Sequence, residues 1–278
     1  MFRTPAFLAL RALTLTALAT PVAAHAGGPT PTGERVSFEF KDMTIDFGNL
    51  HLSANLLGYE LASPDGGPIS GLMGAFEFGE SFMVRGSAVF PMLGFLGAGD
   101  SPVRIEAGVS FHSTSVAMEM ESVTLEQTES GDYRHTKSIK VPALNRNSLG
   151  VGAGLMFRNN GVETKVDGKD FQMRGTHLTA YVGVSSINAA GYALEAKGYG
   201  DFTNYRWTNG GLDLLVDVTQ SYDKDPDDAP GRFGGRLWGE TIFGRDMGLS
   251  ARLEIGYMPG DMGFYLLAGL GIGLNFGI

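Results

Sequence analysis

The sequence predicts an all-β protein, an antiparallel up-and-down transmembrane β-barrel of about twelve strands, with ten or fourteen as the neighbouring even numbers. Three observations lead there. Apolar residues recur at every second position through most of the 278 residues, the period that sends alternate side chains to opposite faces of a sheet. The intervening positions carry ions and many of the 41 glycines. That suits the wall of a lumen better than the solvent face of a soluble sheet, where glycine weakens a strand. Past the N-terminus no uncharged apolar run reaches about 18 residues, so no membrane helix is expected.

The elements follow in order. Arg3 and Arg11, an apolar run over 12–24 and the small-x-small sequence Ala24-His25-Ala26 read as a cleaved signal peptide over 1–26. Residues 27–33, rich in Gly, Pro and Thr, read as a flexible lead, and 34–278 as the barrel. Strands are expected near 35–47, 50–61, 70–79, 82–90, 103–118, 138–157, 173–186, 190–201, 210–222, 232–243, 248–257 and 263–277. The first has a parity slip, Val36/Phe38/Phe40 followed by Met43/Ile45/Phe47, which predicts a bulge. Turn residues such as Gly79-Glu80-Ser81, Gly244-Arg245-Asp246 and Pro259-Gly260-Asp261 separate the runs.

The last strand is the cleanest. Phe264, Leu266, Ala268, Leu270, Ile272, Leu274 and Phe276 share one apolar face, while Gly269, Gly271, Gly273 and Asn275 fall on the other. Its length exceeds the usual soluble strand and covers the roughly 9–11 residues a tilted membrane strand needs.

Composition narrows the function. The formal net charge of −9 argues against nucleic acid, whose binders carry basic patches. With no Cys there is no disulfide framework, thiol catalysis or thiolate metal site. No phosphate loop, dinucleotide fingerprint or zinc motif is present, so no cofactor is expected.

Signal peptide, alternation and chain end together resemble the bacterial outer-membrane β-barrel proteins. Their C-terminal assembly signal is matched by Gly273 and Phe276, with Ile278 standing where a terminal aromatic is usual. The resemblance implies a Gram-negative outer-membrane location, contact with lipid and lipopolysaccharide, and insertion by the barrel-assembly machinery. It also implies a periplasmic C-terminus. Counting back from it puts the turns at 222–231 and 258–262 outside the cell, together with 119–137 as the main external loop.

Inward positions are the candidate site. Glu77, Arg85, Arg104, Glu106, Glu195 and Lys197 belong to this set, followed by Asp213, Asp217, Arg236, Glu240, Arg252 and Glu254. Ions are costly in lipid, so they must face water or one another. Two readings stay open: a narrow porin-like channel whose charges select small polar solutes or ions, or a salt-bridged plug in a structural or adhesive barrel without transport. The glycine columns 150/152/154 and 269/271/273 leave bare wall that something must fill. A third, weaker reading is a barrel lipid hydrolase using His112, although Thr114 stands where such enzymes place Ser. Asp223, Asp225 and Asp227 resemble the start of a calcium loop but lack its downstream Glu. Tyr59, Tyr192, Tyr205, Trp207 and Tyr257 are expected in aromatic girdles.

Overall fold

Backbone pairing in the computed structural model turns this alternation into a closed sheet. The structure describes residues 36–43, 47–62, 67–79, 81–92, 103–130, 133–166, 169–223, 231–260 and 263–277. The expected signal peptide and lead lie outside them, as do Asp225, Asp227 and Ile278. The strands are β1 (Phe38–Met43), β2 (Leu50–Ala62), β3 (Gly67–Phe78), β4 (Phe82–Pro91), β5 (Val103–Ser130) and β6 (Tyr133–Val166). They continue with β7 (Lys169–Ala196), β8 (Gly200–Tyr222), β9 (Phe233–Phe243), β10 (Met247–Met258) and β11 (Gly263–Phe276). All pair antiparallel, each of β2 to β11 beside its sequence neighbours, and β11 closes on β2 from Tyr265↔Ala62 to Phe276↔Leu50. Ten strands therefore form the barrel, and β1 stands outside it, paired with the end of β7.

Twelve strands is thus corrected to ten, for two local reasons. The region expected to hold three strands between 173 and 222 holds two long ones. Ile187-Asn188-Ala189 and Trp207-Thr208-Asn209 fall in the expected breaks between those strands, but they face each other in an unbroken ladder, Ile187↔Asn209 and Ala189↔Trp207. The chain reverses instead at Gly198 and Gly200, with φ of 86° and 95°, a conformation glycine adopts without strain. The other reason is β1, which carries the expected bulge, between Phe40 and Asp42, but joins no barrel seam.

The recount also moves a hairpin. One rim of the barrel runs through Phe276, Leu50, Phe76, Phe82 and Phe111, joined by the ladder pairs of β11, β2, β3, β4 and β5. From that rim, which carries the C-terminus, β5 runs on to Ser130 and β6 returns from Tyr133. The 119–137 segment therefore stands at the C-terminal end. The ends of β8 and β10, which flank 222–231 and 258–262, lie at the opposite rim.

Beyond the C-terminal rim a second small core forms. Val123, Val141 and Ala143 of the long β5–β6 hairpin pack with Tyr192, Leu194 and Ala196 of β7, and Phe40 of β1 and Phe202 of β8 join them. All of the β5, β6 and β7 members continue the outward-facing sets of their strands. Where the wall outruns its shorter neighbours, these outward faces turn toward one another and bury apolar surface there.

Candidate functional site: the filled lumen

The outer wall is apolar and exposed: Leu214 is 64% exposed, Val151 62%, Leu270 63% and Phe264 62%. Soluble proteins rarely expose so continuous an apolar belt, whereas lipid requires it. Tyr59 and Tyr257 sit exposed near the rim opposite the C-terminus, as a girdle would place them. Tyr192 and Trp207 are buried instead, Tyr192 in the second core and Trp207 inside the barrel, and Tyr205 is only partly buried against the same inner layer.

Inside, ten of the twelve expected lumen ions point inward, eight of them in one mid-height layer and Glu77 and Asp217 in clusters toward the two rims. At mid-height Arg236 is 1% exposed and is the hub. Its Nε donates to Asp213 Oδ2 at 2.9 Å, and its Nη1 donates to Glu106 Oε2 at 2.5 Å and Glu254 Oε1 at 3.2 Å. Glu254 also accepts from Arg104 at 2.9 Å, Arg252 at 2.8 Å and the Tyr265 hydroxyl at 2.5 Å. Arg85 donates to Asp213 at 3.2 Å and lies over the Trp238 ring, 3.9 Å from its centroid. Glu240 accepts from Ser53 across the bare strand β11. Four arginines from four strands are thus interleaved with carboxylates, the arrangement that lets buried charge persist.

Polar clusters at both ends seal this layer. Toward the C-terminal rim, Glu77 accepts from Arg146 at 2.9 Å and Trp207 at 3.1 Å, and lies 3.0 Å from His51 Nε2. The His51 ring stacks on Trp207 at 4.1 Å, with its Nδ1 2.8 Å from Asn275 Oδ1. Phe47, Met83, Ile187, Trp207 and Ile242 form an apolar layer there, so Phe47, just ahead of β2, packs into the barrel at that end. Toward the other rim, Arg158 donates to both Asp217 oxygens, at 3.1 and 3.2 Å, and to the Pro259 carbonyl at 3.1 Å. His177 Nδ1 lies 2.8 Å from Asp217 Oδ2.

The glycine columns seat this filling. A Cβ on Gly154 would stand 2.3 Å from the Tyr181 hydroxyl, and one on Gly108 2.1 Å from it. Likewise Gly150 lies against the His112 ring, Gly273 against Ile242, Gly269 against Asn55 and Gly211 against Trp238. Large inward side chains lie flat across strands that have none. A cavity of about 10 Å³ remains beside Arg85, Ser110, Tyr181, Ser185 and Asp213, about the room one water needs.

Some expected positions differ. Glu195 and Lys197 are exposed beyond the rim, outside the lumen, where Glu195 pairs with Lys41 at 3.1 Å. His112 is buried and inward, and its Nε2 lies 2.7 Å from Ser110 Oγ rather than beside Thr114. Asp223 is engaged by the Arg174 backbone N–H at 3.3 Å. Phe276 is exposed on the outer face at the C-terminal rim. Sequence reasoning passed over Arg146, His51 and His177 because nothing local to any of them says that it would meet a carboxylate from another strand.

No family model matches the chain, and no curated protein matches it. Among solved structures it is similar to the beta domain of the Bordetella autotransporter BrkA, at 10% identity and a TM-score of 0.31, covering 82% of this chain and all of that one. It is also similar to Pseudomonas putida OprB, at 8% identity and 0.23, covering 86% and 94%. A third match is the anion-selective porin of Comamonas acidovorans, at 11% and 0.19, covering 87% and 100%. Those values are too low to carry an argument, so the assignment rests on the chain's own geometry. A closed antiparallel barrel with a lipid-compatible apolar exterior and its charges gathered inside has the architecture of a membrane-spanning β-barrel.

Proposed function

We propose that the protein works in the outer membrane as a plugged barrel, a structural or adhesive anchor, rather than as an open porin. The observation that carries this is the lumen itself, packed through its height by the Arg236-centred ion network and by rings lying over glycines. Charge rings that select ions border a water-filled path, whereas here Arg85, Arg104, Arg236 and Arg252 each donate to a carboxylate of the network. Export through cleavage after Ala26 and insertion by the barrel-assembly machinery complete the reading, with lipid and lipopolysaccharide as its surroundings.

A narrow conduit for small polar solutes or ions is the competing reading, and one observation favours it. Ser185 Oγ and the Tyr181 hydroxyl are buried beside the small cavity without a protein partner, as groups along a hydrated path would be. Planar-bilayer recording of the folded protein separates the two. The plugged reading expects no discrete conductance steps. Regular steps whose ion preference changes with Asp213→Asn would overturn it. N-terminal sequencing of the exported protein checks the cleavage, which is expected to leave Gly27 first. The hydrolase reading predicts fatty-acid release from vesicles that His112→Ala abolishes; an inert parent protein removes it.

A further inference from the structure

We infer that the β5–β6 hairpin beyond the C-terminal rim is a docking edge for an extended segment of another protein, one in which apolar and basic side chains alternate. β4 accompanies β5 only as far as Phe82↔Phe111, and the next backbone contact, from His112 N to Ser81 O, ends the pairing. Past that point β5 pairs with β6 alone, and no described strand covers its other edge. An unpaired edge offers a row of backbone donors and acceptors that a further strand can complete.

The side chains on this stretch state what would fit. Val116, Met118 and Met120 recur at every second residue and are 54%, 59% and 61% exposed. They lie beyond the lumen and outside the second core, so neither the barrel filling nor that core explains them. Glu119 and Glu121 alternate with them on the other face, where each accepts from a neutral amide, Asn145 at 3.5 Å and Asn204 at 3.1 Å, while Glu126 and Glu129 stand opposite Lys137 and Arg134 across the hairpin. From residue 115 to 130 the strand carries no Lys or Arg. A strand laid along this edge would set apolar residues beside the first row and meet carboxylates on the second. Opposite charges across a strand pair are favourable and like charges are not.

The same charges argue against a second copy. Copies inserted in one membrane are related by a two-fold axis along the strands, so edge-to-edge β5 strands would run parallel with their faces exchanged and set the methionines of one beside the carboxylates of the other. The basic edge of β6, with Arg134, Lys137 and Lys140, has the right sign, but Pro142 removes a backbone donor there. The occupant is therefore a separate chain of alternating apolar and basic composition. This inference does not depend on whether the lumen conducts.

The chain has no Cys, so single-site labelling is free of background. The full protein, folded in detergent, is titrated with two fluorescent peptides of equal length, one alternating Val and Lys, the other alternating Val and Glu. The Val/Lys peptide is expected to bind saturably and to weaken with salt, and the Val/Glu peptide to bind more than about tenfold worse. Glu119→Lys with Glu121→Lys should reverse that order, a gain that a merely unfolded variant does not show. Disulfide capture between Ala117→Cys and a Cys-bearing Val/Lys peptide should occur in the parent charge background. Binding of neither peptide, equal binding of both, or a preference unmoved by the charge reversal overturns the inference. Sedimentation showing a peptide-free dimer that Met118→Asp dissociates would assign the edge to a second copy and overturn it equally.

Discussion

Replacing Arg236 with methionine tests the plug most directly. The side chain is fully buried and serves three carboxylates, Glu106, Asp213 and Glu254. The three do not lose equally. Asp213 keeps Arg85 at 3.2 Å, and Glu254 keeps Arg104 and Arg252 at 2.9 and 2.8 Å. Glu106 is left with Arg252 at 3.9 Å, beyond hydrogen-bond reach. The expected loss is therefore that of stranding about one buried charge, roughly 3–5 kcal/mol, and not three times that. At 1.4 kcal/mol per tenfold, this shifts the folding equilibrium by about a thousandfold. Denaturant unfolding in lipid vesicles measures it. Adding Glu106→Gln removes the stranded charge, so the double variant should recover about 1–3 kcal/mol of the loss, the coupling usual for groups in contact. A single variant within about 0.5 kcal/mol of the parent, or a cycle with no coupling, would mean that water screens these ions. The packed-lumen argument would then fail.

Three further outcomes follow from other parts of the structure. Gly154→Ala pushes a methyl group into the Tyr181 hydroxyl and the Ala107 carbonyl and should cost about 1–3 kcal/mol, whereas Gly86→Ala, whose nearest atom would be at 3.4 Å, should be near neutral; parallel unfolding curves compare them. Leu214→Arg, in the middle of the exposed apolar belt, should cost about 2–4 kcal/mol in vesicles; no loss there would contradict a lipid-facing exterior. Lys41 on β1 donates to Asp201 at 2.6 Å and pairs with Glu195, partners that raise its pKa above the usual 10.5. Because the folded-state value is the raised one, this tie is fully present at neutral pH and lost only as pH rises through the lysine range. Hydrogen exchange over residues 38–43 should accelerate there in the parent and show a weaker pH dependence in Lys41→Met.

The barrel was legible because lipid imposes a rule on every strand. Leu212, Leu214, Val216 and Val218 must all face out, and period two announces it from the residues alone. The inward polarity of Arg236, Glu240, Arg252 and Glu254 was legible for the same reason. Strand ends were not, since they depend on pairing between distant segments. Ile187-Asn188-Ala189 interrupts the period and reads as a break between strands, and only its register against Trp207-Thr208-Asn209 shows that it is wall. That misreading changed the strand count, and with it the end to which the β5–β6 hairpin belongs. The partners of the ions were equally hidden. Glu254 sits two residues from Arg252, but its contacts with Arg104 and Arg236 come from other strands.

The glycines explain why a barrel of this size can be filled at all. Eight strands leave an interior that ordinary side chains just fill, and ten leave more. A wall with a side chain at every inward position would crowd at its surface and stay hollow on its axis, because each side chain would be held upright by its neighbours. Removing side chains from the wall at Gly108, Gly150, Gly154 and Gly211 lets Tyr181, His112 and Trp238 lie down against the backbone. Arg85 and Arg236 then stack over the Tyr181 ring at 5.1 and 5.0 Å and carry their charge to the centre. In a pore, glycine would widen the opening. Here Gly108, Gly150, Gly154 and Gly211 lie beneath inward rings, and Gly269 and Gly273 beneath Asn55 and Ile242, so the glycines deepen the packing, and the wall and its filling form one layered core.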